Sequence, residues 1–432
     1  MVQELLNYLS SAHSAFHSVK SICDLMDAAG FTRLDECDIW QVAPGGKYYV
    51  TRNLSSVIGF QIPEDEPRCF MLTASHADSP VFKIKENAEL EVRGKYIQLD
   101  TERYGGAILT SWLDRPLSFA GRVIVKSDNG IVAKLIDLDE DSLVIPNVAP
   151  HMKRDINDGM KYNLQTDMVP LYGDFSSKDG FMARIAALAG AKAEDVLGHD
   201  LYLYSRLKPT RWGPNGEFIS AGRLDDLECA FTTAKAFSLS KPKGAVTLMA
   251  VFDNEEVGST TKQGADSSFL TDVLLRICGG LGISQDEFQR MRASSFMLSC
   301  DNAHAMHPNH PEFSDSANTV YMNEGIIIKE SANQKYTSDG VSKALFRSIL
   351  DRAGVPVQFF SNRSDMPGGG TLGNISNSHF SLNTVDIGLA QLSMHSTYET
   401  AGAQDVEHMI NGVRAFFESS VIARRDGEYV IK

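Results

Sequence analysis

Apolar positions recur at helical spacing over residues 2–29, where Leu5, Leu6, Leu9, Ala12, Phe16, Val19 and Ile22 share one face and Gly30 supplies the stop. The period then shortens. SSVIGFQI (55–62) and CFMLTASHADS (69–79) read as strands, the second apolar until it reaches His76 and Asp78. From about 91 to 220 short strands and turns dominate, with a helix expected only near 180–195. There RVIVK and IVAKLIDL flank SDNG, a hairpin signal with Asn129-Gly130 at the turn.

Helix–strand alternation returns after 221. The pattern predicts helices near 224–239, 265–278, 341–353 and 403–423. Between them fall the strands AVTLMAVF (245–252), FMLSCD (296–301), VPVQFF (355–360) and VDIGLAQ (385–391). Such alternation implies an α/β protein: a mixed central sheet with helices on both faces. The α/β part is expected to be discontinuous, 1–90 and 221–432, with 91–220 as a β-rich insertion.

Composition narrows the class. At 432 residues, 43% hydrophobic and 22% charged, the chain reads as an ordinary globular protein with room for two domains. A net charge of −14, spread along the chain, argues against nonspecific nucleic-acid binding. The six cysteines show no CxxC pairing. The start carries no basic-then-apolar leader, and no apolar run is long enough to span a bilayer. No membrane association and a reducing, cytoplasmic setting are therefore expected.

In α/β sheets ligands gather beyond the carboxyl ends of strands. His76 and Asp78 follow one strand, Glu255 and Glu256 another, Asp301 follows FMLSC, His395 follows AQLSM, and Asp225 opens a helix after GRL. These residue types suit two divalent ions, which need mixed nitrogen and oxygen ligands and a bridging carboxylate. His76 and Asp301 can serve one ion, Glu256 and His395 the other, and Asp225 can bridge. Zinc suits this donor set, with manganese or cobalt as substitutes. Glu255, left unligated, can take a proton from the attacking water, and Asp78 can fix the His76 tautomer. Each residue also has a plainer reading. A lone histidine is more often structural, Asp225 could cap its helix, and His304, His307 and His310 compete as ligands. A serine hydrolase would need GxSxG, which is absent.

HADSP (76–80), YGGAILTSWLDRPLSFAGRV (104–123), GRLDDL (222–227), DNEEVGS (253–259), DNAHAMHPNH (301–310) and LSMHSTYE (392–399) together resemble the aspartyl aminopeptidase family, in order over nearly the whole chain. The resemblance implies a zinc-exopeptidase type of catalytic domain and an inserted dimerisation domain. It also implies metal ligands at His76, Asp225, Glu256, Asp301 and His395, two zinc ions per subunit, Glu255 as general base and Asp78 supporting a ligand. Dimers assembled into a dodecamer follow from the same resemblance, with His151 in PNVAPHMKRDIN reaching a neighbouring active site. Small peptides with an N-terminal Asp or Glu would be the substrates. Lys329 in IIIKESANQKYTS or Arg363 in NRSDMPGGGTLGNI would meet that carboxylate, beside Met366, and Asp365 could receive the α-amino group. Three glycines at 368–370 replace a more usual Cys-Gly-Ser, and SAGRLDD stands where a Ser-Pro-Arg form is commoner. A neutral or basic (Leu or Lys) or a broad N-terminal preference on the same metal site is therefore the alternative. A non-enzymatic oligomeric binding protein would be expected to lack a ligand or the base, and none is missing.

Overall fold

A computed structural model describes residues 1–432. Its centre is a nine-stranded mixed sheet. The strands run in the order Thr32–Leu34, Lys47–Arg52, Ser56–Gln61, Ala245–Phe252, Cys69–His76, Phe296–Cys300, Asn383–Gly388, Ile326–Glu330 and Val357–Ser361. Cys69–His76 and Ala245–Phe252 are buried at every position, as expected of parallel strands covered on both faces. Their side chains alternate between two cores. Met71, Met249 and Val251 pack with the helices Leu224–Leu239 and Asp405–Phe417, whereas Phe70, Leu72 and Leu248 pack with Phe269–Gly280 and Gln285–Ala293. The mixed α/β sheet expected from the alternation is present.

The parallel register matters most for the site. Phe252 lies opposite His76, so two strands end level with each other and deliver His76, Glu255 and Glu256 to one edge. Phe296–Cys300 pairs with the other side of Cys69–His76 and brings Asp301 to the same edge. Asp225 precedes the regular part of its helix, with φ −83° and ψ 107°.

A second sheet of six strands carries its own core, built on Phe82, Leu99, Trp112, Phe119, Phe181 and Leu201. Val81–Val92 belongs to this sheet, ahead of the expected boundary at 91. Thr210–Trp212 instead pairs with Phe218–Ala221 in a third sheet, where Phe218–Ala221 also pairs with Glu399–Gly402 near the C-terminus. The SDNG hairpin is present, its turn formed by Asp128 and Asn129, and Gly130 opens the return strand. The single expected N-terminal helix is two, Val2–Leu9 and Ala15–Ala28. Between them the hydroxyls of Ser10 and Ser11 turn back on the carbonyls of Leu6 and Tyr8, which competes with helix continuation. The short helix Gln285–Ala293 escaped the periodicity, although its capping box, Ser284 with Glu287, was legible as S-x-x-E. On the last strand of the central sheet, the Gln358 side-chain amide exchanges two hydrogen bonds with the Tyr321 backbone (2.8 and 2.9 Å). No helix is long and apolar enough to cross a membrane.

Candidate metal centre

Six segments converge on one cavity of about 450 Å³. Its walls include His76, Asp225, Glu255, Glu256, Asp301, Lys329 and His395. Asp225 stands at the centre. Its Oδ1 lies 3.8 Å from His76 Nε2 and its Oδ2 lies 3.3 Å from His395 Nε2. One carboxylate thus faces two imidazoles with different oxygens. Potential ligand atoms of His76, Asp225, Asp226 and Asp301 fall within 4.8 Å of one another, as do those of Asp225, Glu256 and His395. Glu256 Oε1 is 3.4 Å from His395 Nε2.

Both imidazoles are turned the same way. His76 Nδ1 donates to the Asp78 carbonyl (3.1 Å), with Asp78 Oδ1 at 3.3 Å. His395 Nδ1 donates to the Gly106 carbonyl (3.1 Å). Placing the proton on Nδ1 leaves each Nε2 lone pair aimed into the cavity, the tautomer a metal requires. Glu399 anchors the backbone beneath, its two oxygens accepting from the amides of Asp225 (3.1 Å) and His395 (2.6 Å).

Several buried oxygens have no partner: Asp225 Oδ1, Asp226 Oδ1 and Glu256 Oε1. An uncompensated buried carboxylate costs several kcal/mol. Without a cation the site answers this by holding protons. Burial pushes the Glu255 carboxyl up to about 7 and the Asp301 carboxyl up to about 6, and it drives Glu256 well above the carboxylate range. A pair of divalent ions would replace those protons, so the donor set fits the metal the chemistry suggests. For Asp78, burial opposes the charge, but hydrogen bonds from His76, Tyr104 and the Glu256 amide outweigh it and keep the carboxyl below its usual value.

Residues 8–417 match the family of aminopeptidase I zinc metalloproteases, M18. The chain belongs to this family. The aspartyl aminopeptidases it resembles are M18 enzymes. It is 40% identical over 422 residues to a probable M18 family aminopeptidase 2 of Clostridium novyi, covering 96% of this chain and 98% of that one. It is 42% identical over 423 residues to the protein of the same description in Clostridium acetobutylicum, covering 96% and 98%. Among solved structures it superposes on the Ape4 chain of an Ape4–Nbr1 complex with a TM-score of 0.93, at 32% identity over 96% of this chain and 85% of that one. The S. cerevisiae mApe1 dodecamer gives 0.84, at 26% identity over 96% of each chain. As an M18 member the chain is a zinc aminopeptidase, a hydrolase of peptides.

The structure places the other expected residues less uniformly. Lys329 reaches the cavity floor, 2% exposed. Its ammonium donates to the carbonyls of Asp301 (2.7 Å) and Asn302 (3.4 Å). Burial works against that charge, and the carboxylates of Asp301 and Asp386 outweigh it and hold the lysine protonated. Arg363 and Met366 line a separate crevice of about 240 Å³ that shares His304 and Phe360 with the catalytic cavity. Arg363 is occupied there by Asp365 (2.9 and 2.6 Å). His304 borders the cavity, while His307 and His310 lie outside it, their rings tilted against each other with centroids 5.3 Å apart. His151 lies exposed between the strands Gly130–Asp137 and Leu171–Asp174, and it is not among the residues lining the cavity. Sequence reasoning missed Asp226, Tyr104 and Glu399. The second Asp of GRLDDL and the Glu of LSMHSTYE were visible, but adjacency alone gives neither a role.

Proposed function

We propose that the chain is a two-metal aminopeptidase that removes preferentially acidic N-terminal residues from short peptides. The observation that carries this reading is Asp225, with one oxygen facing His76 and the other facing His395. His76 and Asp301 would hold one zinc ion, Glu256 and His395 the other, with Asp225 shared and manganese or cobalt able to substitute. When bound, the two ions would polarise the scissile carbonyl and lower the pKa of a nearby water.

The protein groups do the rest. Glu256 is only 6% exposed and faces His395, whereas Glu255 is 17% exposed and opens on the cavity. Glu255 is therefore free to accept the proton of the attacking water and return it to the departing amine. Asp78 holds His76 in its metal-binding orientation throughout.

Lys329 supports the acidic preference. It is the only Lys or Arg on a cavity wall that otherwise carries Asp225, Glu255, Glu256 and Asp301. Two of its three N–H groups are engaged, which leaves one for a substrate carboxylate. Matched dipeptides beginning with Asp, Glu, Lys, Leu or Ala test this directly on zinc-loaded protein. Asp and Glu substrates should give kcat/KM values at least about tenfold above the rest, since a charge-assisted pair contributes about 1.5–3 kcal/mol. Faster hydrolysis of Leu or Lys substrates would retain the metal chemistry and remove the acidic assignment.

Assembly into dimers and then a dodecamer completes the reading, supported by the likeness to the mApe1 dodecamer. His151, which is not among the residues lining its own cavity, would then act on a neighbouring subunit. His151→Ala should lower kcat without changing the sedimentation coefficient. A monomer with full activity would remove His151 from the mechanism.

A further inference from the structure

Eight residues leaving the inserted sheet touch both halves of the metal cluster. The strand Tyr96–Tyr104 ends at Tyr104, whose hydroxyl donates to Asp78 Oδ2 (2.6 Å) and accepts from Asn254 Nδ2 (2.8 Å). Asp78 is the residue that orients His76, and its Oδ1 and Oδ2 also accept from the amides of Glu255 (3.1 Å) and Glu256 (3.2 Å). Two residues past Tyr104, the Gly106 carbonyl accepts from His395 Nδ1. The Ile108 amide then donates to the His395 carbonyl (3.0 Å). Ser111 ties down the far end. Its hydroxyl accepts from the Thr397 amide (3.0 Å), and its carbonyl accepts from the Thr397 hydroxyl (2.7 Å).

Gly105 is what lets this strap pass so close. Its φ is +70°, and a Cβ there would stand 3.2 Å from Glu256 Cβ. Tyr104 itself is braced edge-on against Tyr202 of the inserted sheet, ring centroids 5.8 Å apart. The strap therefore bonds His395 directly and reaches His76 through the Asp78 carboxylate.

We propose that the strap Tyr104–Ser111 is the positioning device for both metal-binding histidines, so that the inserted domain sets metal affinity as well as any assembly contact. This rests on the assignment of His76 and His395 as ligands. Asp78 connects the strap to His76, and the Gly106 carbonyl connects it to His395. Groups that orient a ligating histidine typically change metal affinity or activity about 10- to 100-fold when removed. Tyr104 is a positioning residue: nothing places it against the substrate.

Tyr104→Phe deletes one oxygen and keeps the ring that packs on Tyr202. Chelator competition on the purified full chain should show zinc binding weakened about 10- to 100-fold. The dipeptide kcat should fall while KM stays within about twofold. Tyr202→Phe, which removes the neighbouring hydroxyl, should leave zinc affinity at the wild-type value. If the wild-type chain itself retains no zinc, the ligand assignment fails before the strap is tested. If wild type holds two ions and Tyr104→Phe releases them as slowly, the strap inference is overturned. An equal loss in Tyr202→Phe would overturn it as well, reducing Tyr104 to packing.

Discussion

Glu255→Gln should keep two zinc ions per subunit and lose turnover by about 10²- to 10⁴-fold, the usual worth of a positioned general base. The two neighbouring glutamates are chemically alike, so geometry has to separate them. Glu256 Oε1 is buried without a hydrogen-bond partner and lies 3.4 Å from His395 Nε2, the position of an atom that waits for a cation. The nearest approach of Glu255 to an imidazole is longer, 4.0 Å to His76 Nε2, and its carboxyl opens on the cavity. Glutamine preserves the shape and one hydrogen-bonding oxygen but cannot carry the proton. Zinc content measured by elemental analysis beside single-turnover kinetics separates the outcomes. Loss of a metal ion would make Glu255 a ligand, and an active variant would move the base elsewhere.

Asp225→Asn should be as damaging for a different reason. The amide retains one oxygen for an ion but offers nitrogen, a donor group, to the other imidazole side. Because Asp225 faces His76 with Oδ1 and His395 with Oδ2, the substitution breaks the link between the two halves of the site. Zinc should fall from two ions to one or fewer per subunit. Activity should drop by roughly 10³-fold or more, since the electrostatic help from a metal ion amounts to several kcal/mol. By contrast His395→Ala removes a ligand from one side only, so one ion should persist. A variant that binds two ions with wild-type affinity would show that Asp225 does not bridge.

Much of this site was legible because strand ends are legible. Apolar runs ending abruptly in His76, in Asp253-Asn-Glu-Glu or in Asp301 announce both the sheet and the edge where its ligands gather. The partners that orient those ligands were not legible. Tyr104 meets Asp78 across a bond the sequence does not announce, and Gly106 acts through a carbonyl that carries no residue signature. Arg363 shows the opposite difficulty. Its charge is plain in the sequence, but the bidentate pairing with Asp365 that occupies it appears only in three dimensions. The break between the first two helices was hidden for a related reason. The apolar spacing continues across Ser10–Ser14, and only the hydrogen bonds reveal that the serines interrupt it.

Gln358 has a consequence for the shape of the cavity wall. The strand it belongs to contributes Phe360 to the cavity. Its side-chain amide fastens the Tyr321 backbone to that strand. The segment leading into Ile326–Glu330 and the wall beside it are thereby held as one piece, and an arriving peptide meets a surface whose form is already set.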